Sequence, residues 1–318
     1  MIGLVHNVPS PGGEGASEAS ADVLTQVQEI EDALRELNLA WVRLPLTKDL
    51  ESFLAELRKA EVKVAFNLCE TIDEDPRFVG FAPSLLELLG ISFTGSPSTA
   101  LMLTTDKILT KQLLESRGIC TPAYCIYRDS SSLEVGALRF PVIIKPIFED
   151  ASIGIEQDSI ITGPRDLLER IEDYFKRFGP FFVEEYVGGR EVNVSLFGYP
   201  TPRVLPIAEI DFSSFPEDLY RIVSYKGKWD RLSFEYHHTP RIFPTDLPAA
   251  LAREIETIAG ECFKLFHLRD YGRVDMRIDD SGQVQVLEVN ANPCLSRDAG
   301  FCGAVEKSGM RYFEMVEK

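Results

Sequence analysis

The chain has 318 residues, 45% of them hydrophobic and 26% charged, an ordinary soluble globular balance with room for two or three domains. Thirty-three basic against fifty acidic residues leave a net charge of -17, which repels nucleic acid and anionic membrane surfaces and argues against both as partners. The N-terminus MIGLVHNVPS lacks a basic start and meets Pro9 after a short apolar run. It reads as a first strand rather than a secretory signal, so a cytoplasmic location is expected. Cys69, Cys120, Cys125, Cys262, Cys294 and Cys302 form no CxxC pair, which suits reduced thiols and argues against structural zinc.

In chain order, the first hundred residues alternate strand and helix signals. IGLVHNV precedes a helix with Val23, Val27, Ile30, Leu34 and Leu37 on one stripe, then AWVRLPL; a helix around Leu50 to Leu57 precedes VKVAFNL, and one around Ser84 to Leu89 precedes ISFTG. The pattern predicts an open, largely parallel α/β domain. Gly12-Gly13-Glu14-Gly15 is not spaced as GxGxxG and is crowded by Pro9 and Pro11, so it reads as a loop. Gly95-Ser96-Pro97-Ser98 marks a first boundary. A helix from about Thr105 to Ser116 follows, then strands around Ala123 to Tyr127 and Val142 to Lys145, and a helix from about Arg165 to Arg177 that stops at Gly179-Pro180. Beyond this second boundary come FFVEEYV, EVNVSLFG, a long aromatic-rich stretch from Asp211 to Phe243 that reads as a lid, and a helix from about Leu247 to Phe266. The expected domains are therefore 1-95, 96-179 and 180-318, the last carrying the lid loop 211-243.

The segment from Arg273 to Asn290, RVDMRIDDSGQVQVLEVN, reads as a β-hairpin turning at Asp279-Asp280-Ser281-Gly282. With those four residues as the loop, Arg273 falls opposite Glu288 and Asp275 opposite Val286. The period of two then gathers Arg273, Asp275, Glu288 and Asn290 on one face, with Val274, Met276, Leu287 and Val289 on the other. Two carboxylates and an amide oxygen suit Mg²⁺ or Mn²⁺ far better than zinc. A solvated hairpin with a charged outer face is the competing reading of the same residues.

Other residues bear on that choice. Lys145 ends a buried strand in FPVIIKPIFEDASIGI, before a loop with Ser152 and Gly154, a plausible grip on nucleotide phosphates; a solvent-facing lysine is the plainer alternative. In FVEEYVGGREVNV, Glu184 and Glu185 end a strand ahead of Gly188-Gly189 and Glu191; a strand-end carboxylate can accept from an adenine amino group or a ribose hydroxyl, and a hairpin turn with exposed acids is the alternative. His237-His238, adjacent in a strand, face opposite ways and read as lid residues. Cys294 has no nearby activating partner and reads as a small packed residue.

Lys107 in TTDK, Lys145 in IIKP, the ED-A-S-I-G loop, E-E-Y-V with Glu191, Lys228-Trp229 in the lid stretch, Arg273 and Asp275 in GRVD, and Glu288 with Asn290 in LEVNANP form an ordered set. It resembles ATP-grasp enzymes, and within them the D-alanine-D-alanine ligase group. The resemblance spans nearly the whole chain, including LLELLGISFTGS ahead of the second domain.

The resemblance implies an α/β (α+β) ATP-grasp fold, with an N-terminal open parallel α/β domain, a small central α+β subdomain and a C-terminal antiparallel-sheet subdomain. It implies ATP and two Mg²⁺ ions, with Mn²⁺ as a substitute, held by Asp275, Glu288 and Asn290. Lys107 and Lys145 would contact the phosphates, with Ser152 and Gly154 in the loop over them. Glu184, Glu185, Tyr186 and Val187 would line the adenine pocket, and Glu191 would take the ribose hydroxyls. Lys228 would reach the γ-phosphate, and Arg273 would stabilise the acyl phosphate and tetrahedral intermediate. Cations must neutralise the phosphoryl oxygens before a carboxylate can attack, and a closing lid keeps water from the acyl phosphate. The partners implied are amino-acid-like carboxylate and amine substrates, and a homodimer through the N-terminal region.

The departures concern the substrates. The pattern GG-x-S-x-E-x-x-V-S, which binds the first D-alanine ammonium in that group, is replaced by PSPGGEGASEASAD, with Glu18 as the one candidate stand-in. HG-x-x-GEDG reads NLCETIDEDPRFVG. Ala151 stands where the group has a triad serine, Trp229 where it has the tyrosine partner, Cys294 for a glycine, and Ala299 for the serine that grips the second D-alanine. The expected activity is an ADP-forming carboxylate-amine ligase with different substrates. True D-alanine-D-alanine ligation and an ATP-binding regulatory protein without ligation are the alternatives.

Overall fold

The structure, a computed structural model, describes residues 1–9, 18–127 and 138–318. The Gly12-Gly15 loop and most of the rewritten PSPGGEGASEASAD stretch lie outside the described residues, as does the side chain of Glu18. Strand β1 (Ile2–Asn7) pairs in parallel with β2 (Trp41–Leu46) and β3 (Val64–Asn67), and β3 with β4 (Ser92–Phe93), in the order β2-β1-β3-β4. Parallel neighbours need crossovers, here α1 (Glu18–Glu36), α2 (Leu50–Lys59) and α3 (Phe81–Leu89). The stripe on α1 is buried as its spacing predicts, with Val23, Val27 and Ile30 inaccessible.

Helices α4 (Ser98–Thr105) and α5 (Lys107–Ser116) stand where a single helix from Thr105 was expected. The chain turns extended at Asp106, whose carboxylate accepts the N–H of Ile108 and of Leu109 at 2.9 and 3.0 Å. That cap starts a new helix with Lys107 in its first turn. A second sheet follows, built from β5 (Tyr124–Tyr127), β6 (Val142–Pro146), β7 (Ile160–Ile161) and β8 (Phe181–Glu185), antiparallel throughout in the order β5-β8-β6-β7. Helix α6 (Pro164–Phe178) buries Leu167 in the same core as Val142, Ile144 and Phe181.

The third sheet has β9 (Arg190–Phe197), β10 (Arg203–Val204), β11 (Ala208–Ile210), β12 (Arg241–Ile242), β13 (Tyr271–Ile278) and β14 (Val284–Asn290), in the order β12-β11-β9-β13-β14 with β10 against β9. The lid stretch carries short helices α7 (Tyr225–Trp229) and α8 (Phe234–His237). Helix α9 (Ala249–Leu265) buries Ile255, Ala259 and Cys262 with Val194, Val274, Met276 and Val286. Helices α10 (Gly300–Lys307) and α11 (Tyr312–Glu317) return to the first sheet, where Phe301, Val305 and Met315 share a core with Val23, Val27 and Ile30. The N-terminal sheet is thereby held against the segment that follows β14.

Three local expectations change. The hairpin register is Arg273 opposite Asn290 and Asp275 opposite Glu288, then Met276 opposite Val286 after a bulge. The turn is longer than four residues, since the Asp279 N–H donates to the Gln283 carbonyl at 3.1 Å and its carboxylate accepts the N–H of both Ser281 and Gln283. The bulge places Leu287 off the core, which is filled by Val284, Val286 and Val289. Gly188-Gly189 is no hairpin turn, because β8 and β9 belong to different sheets. Gly189 has φ +80°, and a Cβ there would lie 2.1 Å from the Ile278 carbonyl oxygen, so only glycine lets the connector pass the end of β13. His237 and His238 lie at the end of α8, not in a strand, each with a ring nitrogen bonded to a local carbonyl, of Arg231 and Phe234.

Candidate active site

The register across β9, β13 and β14 stacks side chains in rungs on one face of the sheet. Ser195, Arg273 and Asn290 form one rung, Asn193, Asp275 and Glu288 the next, and Glu191, Arg277 and Gln285 the third. Arg273 grips Asp275 with both arms of its fork, Nε to Oδ1 and Nη2 to Oδ2 at 2.8 Å each, and Asn193 Nδ2 donates to the same Oδ1 at 2.8 Å. Burial opposes the charge on Arg273, but Asp275 beside it outweighs burial and raises its pKa. The charged face is therefore sequestered and ion-paired, which excludes the solvated-hairpin reading.

Lys107 and Lys228 converge on the same face. Lys107 Nζ donates to Asp150 Oδ1 and the Glu149 carbonyl at 2.6 Å each and lies 3.9 Å from Glu288 Oε1. Burial pulls its pKa down, and the carboxylates of Asp150 and Glu288 more than reverse this, leaving it raised. Glu288 is pushed up by burial, with Lys107 opposing. Lys228 is solvent-exposed, yet desolvation by the protein packed around it, then the charge of Arg273, hold it below the ordinary lysine range.

A second buried cluster lies at the end of β8. Glu184 is 1% exposed and paired with Lys111 Nζ at 2.6 Å and with Lys145. Its neighbour Glu185 faces away, as alternation requires, and binds Arg139 at 2.7 Å, so this carboxylate is not brought to the cluster. Tyr186 packs edge-to-face on Tyr220 of the lid at 5.4 Å, and its hydroxyl accepts the Arg221 N–H at 3.2 Å. Val187 lies half-buried in the connector between β8 and β9. Glu191 pairs with Arg277 at 2.6 Å.

The lid is latched onto the loop after β6. Ser152 Oγ donates to the Val223 carbonyl at 2.8 Å, Tyr225 N–H to the Ile155 carbonyl at 2.8 Å, and Gln157 exchanges two bonds with Tyr220. Ala151 and Ser152 both hold positive φ, 56° and 63°, followed by Gly154 at 77°. Consecutive left-handed residues outside glycine are strained, and such strain concentrates at functional loops.

The donor set on the hairpin fits a hard divalent cation. Asp275, Glu288 and Asn290 offer only oxygen, from two carboxylates in direct cross-strand register and an amide beside them. Among the described residues no three His, Cys, Asp or Glu side chains converge to hold an ion. An ion here needs further oxygens, as Mg²⁺ does where phosphates complete its shell.

The family described as D-ala D-ala ligase C-terminus matches residues 113–318. The chain belongs to the D-alanine-D-alanine ligase family. It is 31% identical over 281 residues to the D-alanine-D-alanine ligase of Carboxydothermus hydrogenoformans, covering 85% of this chain and 84% of that one. It is 32% identical over 254 residues to a Sinorhizobium fredii protein named "Uncharacterized protein y4sG", covering 80% and 72%. The crystal structure of the Bacillus anthracis D-alanine-D-alanine ligase complexed with ATP superimposes with a TM-score of 0.76 at 22% identity, over 99% of this chain and 94% of that one. The fold is thus the ATP-grasp fold of this family of ligases.

Where the sequence departs from the family pattern, four of the altered positions meet in two pairs. Trp229 Nε1 donates to the Ala151 carbonyl at 3.0 Å. Cys294 Sγ lies 3.0 Å from Asp22 Oδ2, and burial raises the thiol pKa well above its usual value, consistent with an unreactive packed residue. Gln26 joins two segments, donating to Glu70 Oε1 at 2.8 Å and accepting the Leu295 N–H at 3.0 Å. Ala299 caps the start of α10 with its backbone only.

The sequence does not single out Lys111, Asn193, Arg277 or Glu70. Asn193 and Arg277 follow the period of two from Glu191 and Asp275, and Lys111 sits one helical turn beyond Lys107. Glu70 has no local signal. Burial pushes its pKa from the ordinary 4.5 to about 7, with Gln26 opposing, Asp22 and Asp150 adding, and Lys228 opposing. Between pH 4.5 and 7 the folded state holds a proton that the unfolded chain has lost, so stability falls as pH rises through that window. Glu70→Gln should remove this fall; melting curves at pH 5 and pH 8 that change in parallel for both proteins would show Glu70 uninvolved.

Proposed function

We propose that the chain is an ATP-dependent, ADP-forming carboxylate-amine ligase, acting through an acyl phosphate, with substrates other than two D-alanines. The observation that carries the reaction type is the convergence of Arg273 and Lys107 with Lys228 of the latched lid on Asp275 and Glu288. A site built only to hold a nucleotide has little use for a buried guanidinium ready to meet a developing oxyanion.

In this reading Lys107 and Lys145 bind the ATP phosphates under the strained loop of Ser152 and Gly154. The Glu184–Val187 segment faces the adenine, with Glu185 contributing backbone only, since Arg139 holds its carboxylate. Glu191 meets the ribose. Asp275, Glu288 and Asn290 would hold two Mg²⁺ ions, which screen the phosphate charge when bound. Lys228 neutralises the phosphoryl group in transfer, and Arg273 orients the carboxylate and stabilises the charge that forms when the amine adds. The lid excludes water from the cleft. The altered residues support a change of substrate, because they meet in pairs, Trp229 with Ala151 and Cys294 with Asp22, so that each change is matched by one at its neighbour.

Phosphate release with ATP and Mg²⁺ across D- and L-amino acids, hydroxy acids and dipeptides, with mass spectrometry of products, tests the proposal. The expected outcome is release that needs both a carboxylate and an amine, with a product lighter than their sum by one water. Background release for every pair would favour an ATP-binding regulatory protein. D-alanyl-D-alanine from D-alanine alone would make it a true D-alanine-D-alanine ligase.

A further inference from the structure

Arg277 has no part in the roles above, although it is only 3% exposed and stands directly across from Glu191. Its Nη2 donates to Glu191 Oε2 at 2.6 Å, and the same nitrogen meets the carbonyl oxygen of Arg221 in the lid. Its guanidinium carbon lies 5.6 Å from the Phe212 ring and 5.8 Å from the Tyr186 ring. One side chain therefore touches strand β9, the lid and the connector between β8 and β9. Its other terminal nitrogen, Nη1, is buried without a hydrogen-bond partner among the described residues.

A guanidinium does not shed its proton, so burial cannot neutralise it as it neutralises a lysine. A buried donor without an acceptor is unfavourable, and in a folded protein it calls for a partner such as a bound group, ion or water, or for a catalytic or strained role. The acceptor must lie next to Glu191, on the face that carries Arg273 and Asp275.

We propose that Arg277 is the positioning residue for the nucleotide's ribose. It fixes the Glu191 carboxylate for the sugar hydroxyls, offers Nη1 to the same sugar, and ties the lid to the filled pocket through the Arg221 carbonyl. This rests on the ATP reading of the site. It gives Arg277 no contact with the reacting atoms, so nucleotide affinity should change and the chemical step should not.

The test compares ADP with 2′,3′-dideoxy-ADP, each with Mg²⁺, binding to the full chain by calorimetry, alongside KM for ATP and kcat. The parent protein should bind ADP about tenfold or more tightly than the dideoxy compound, the worth of a charge-assisted hydrogen bond. Arg277→Met should bring the two affinities within about twofold and raise KM with kcat little changed, as loss of uniform binding does. Arg277→Lys, which keeps the charge, should restore part of the preference. If Arg277→Met weakens both nucleotides equally and keeps the parent's preference, the residue is only structural and the proposal fails. A parent that binds no ADP overturns the ATP reading and this inference together. Should Arg277→Met fail to fold because Glu191 is left unpaired, the Arg277→Met, Glu191→Gln protein removes both charges; retention of the sugar preference there also overturns the proposal.

Discussion

An Asp275→Asn protein should turn over ATP about a thousandfold more slowly than the parent while keeping its fold, a loss on the scale of removing one electrostatic element from a preorganised site. Asp275 is where the site's charges meet: it takes both arms of Arg273, accepts from Asn193 and stands across from Glu288. Asparagine matches its size and keeps one oxygen. It cannot receive a second guanidinium N–H on the other arm, where it presents its own donors. Arg273 then loses the carboxylate that fixes its direction, and Lys228 loses one of the negative groups that offset Arg273 beside it. The proposed metal set loses one of its two carboxylates at the same time. Phosphate release at saturating ATP and Mg²⁺, with circular dichroism and melting as the fold control, measures the effect. Activity within tenfold of the parent would remove Asp275 from the catalytic centre.

Much of this centre is legible in the sequence because β-strands obey a period of two. Alternation alone puts Arg273, Asp275, Glu288 and Asn290 on one face, and they share it, although the longer turn shifts every cross-strand partner by one position and the bulge shifts those of Arg273, Val274 and Asp275 by one more. Counting inward from a presumed turn assumes an unbroken ladder, and a bulge is invisible to counting. Asn193 and Arg277 obey the same alternation, but their partners Asp275 and Glu191 lie on other strands, far away in the chain, which counting within one segment does not reveal. Lys111 illustrates a different limit. In KILTKQLLES it reads as the second of two lysines on a polar helix face, and only the neighbouring strands show that it is 1% exposed against Glu184. Glu70 depends wholly on tertiary placement, since α1 reaches it through Gln26 from residues far away in the chain. Residues whose role follows from a local period can be found in one dimension, and those defined by meeting distant segments cannot.

Glu184→Gln should destabilise the protein by about 3–5 kcal/mol, the usual cost of removing one partner from a buried ion pair. The parent cluster has two lysines on one carboxylate, with Lys111 and Glu184 each 1% exposed and Lys145 at 15%. Lys111 also faces the rings of Tyr124 and Phe182 at 5.2 and 5.7 Å, and its Nζ donates to Thr121 Oγ1 at 2.8 Å. Those contacts satisfy its donors but carry no full negative charge, so Glu184 is its chief counterion. Burial already lowers the pKa of Lys111 despite that carboxylate. For Glu184, burial works to raise the pKa and the two lysines outweigh it, leaving it lowered. The parent therefore draws stability from an ionised Glu184 that is fully present above the unfolded glutamate pKa of about 4.3 and is lost as pH falls through the lower folded value. Glutamine abolishes that acid-side loss. On the alkaline side the effect reverses: without Glu184, Lys111 falls further below its unfolded pKa, the unfolded chain binds more protons than the folded one, and stability rises with pH. The gap between variant and parent should be widest near neutrality and narrow both toward pH 4 and toward pH 10. Urea unfolding across that range measures it. A gap that stays constant with pH, or is below about 1 kcal/mol at pH 7, the worth of an exposed pair, would mean that water reaches these lysines and that the cluster is not the buried charge centre described.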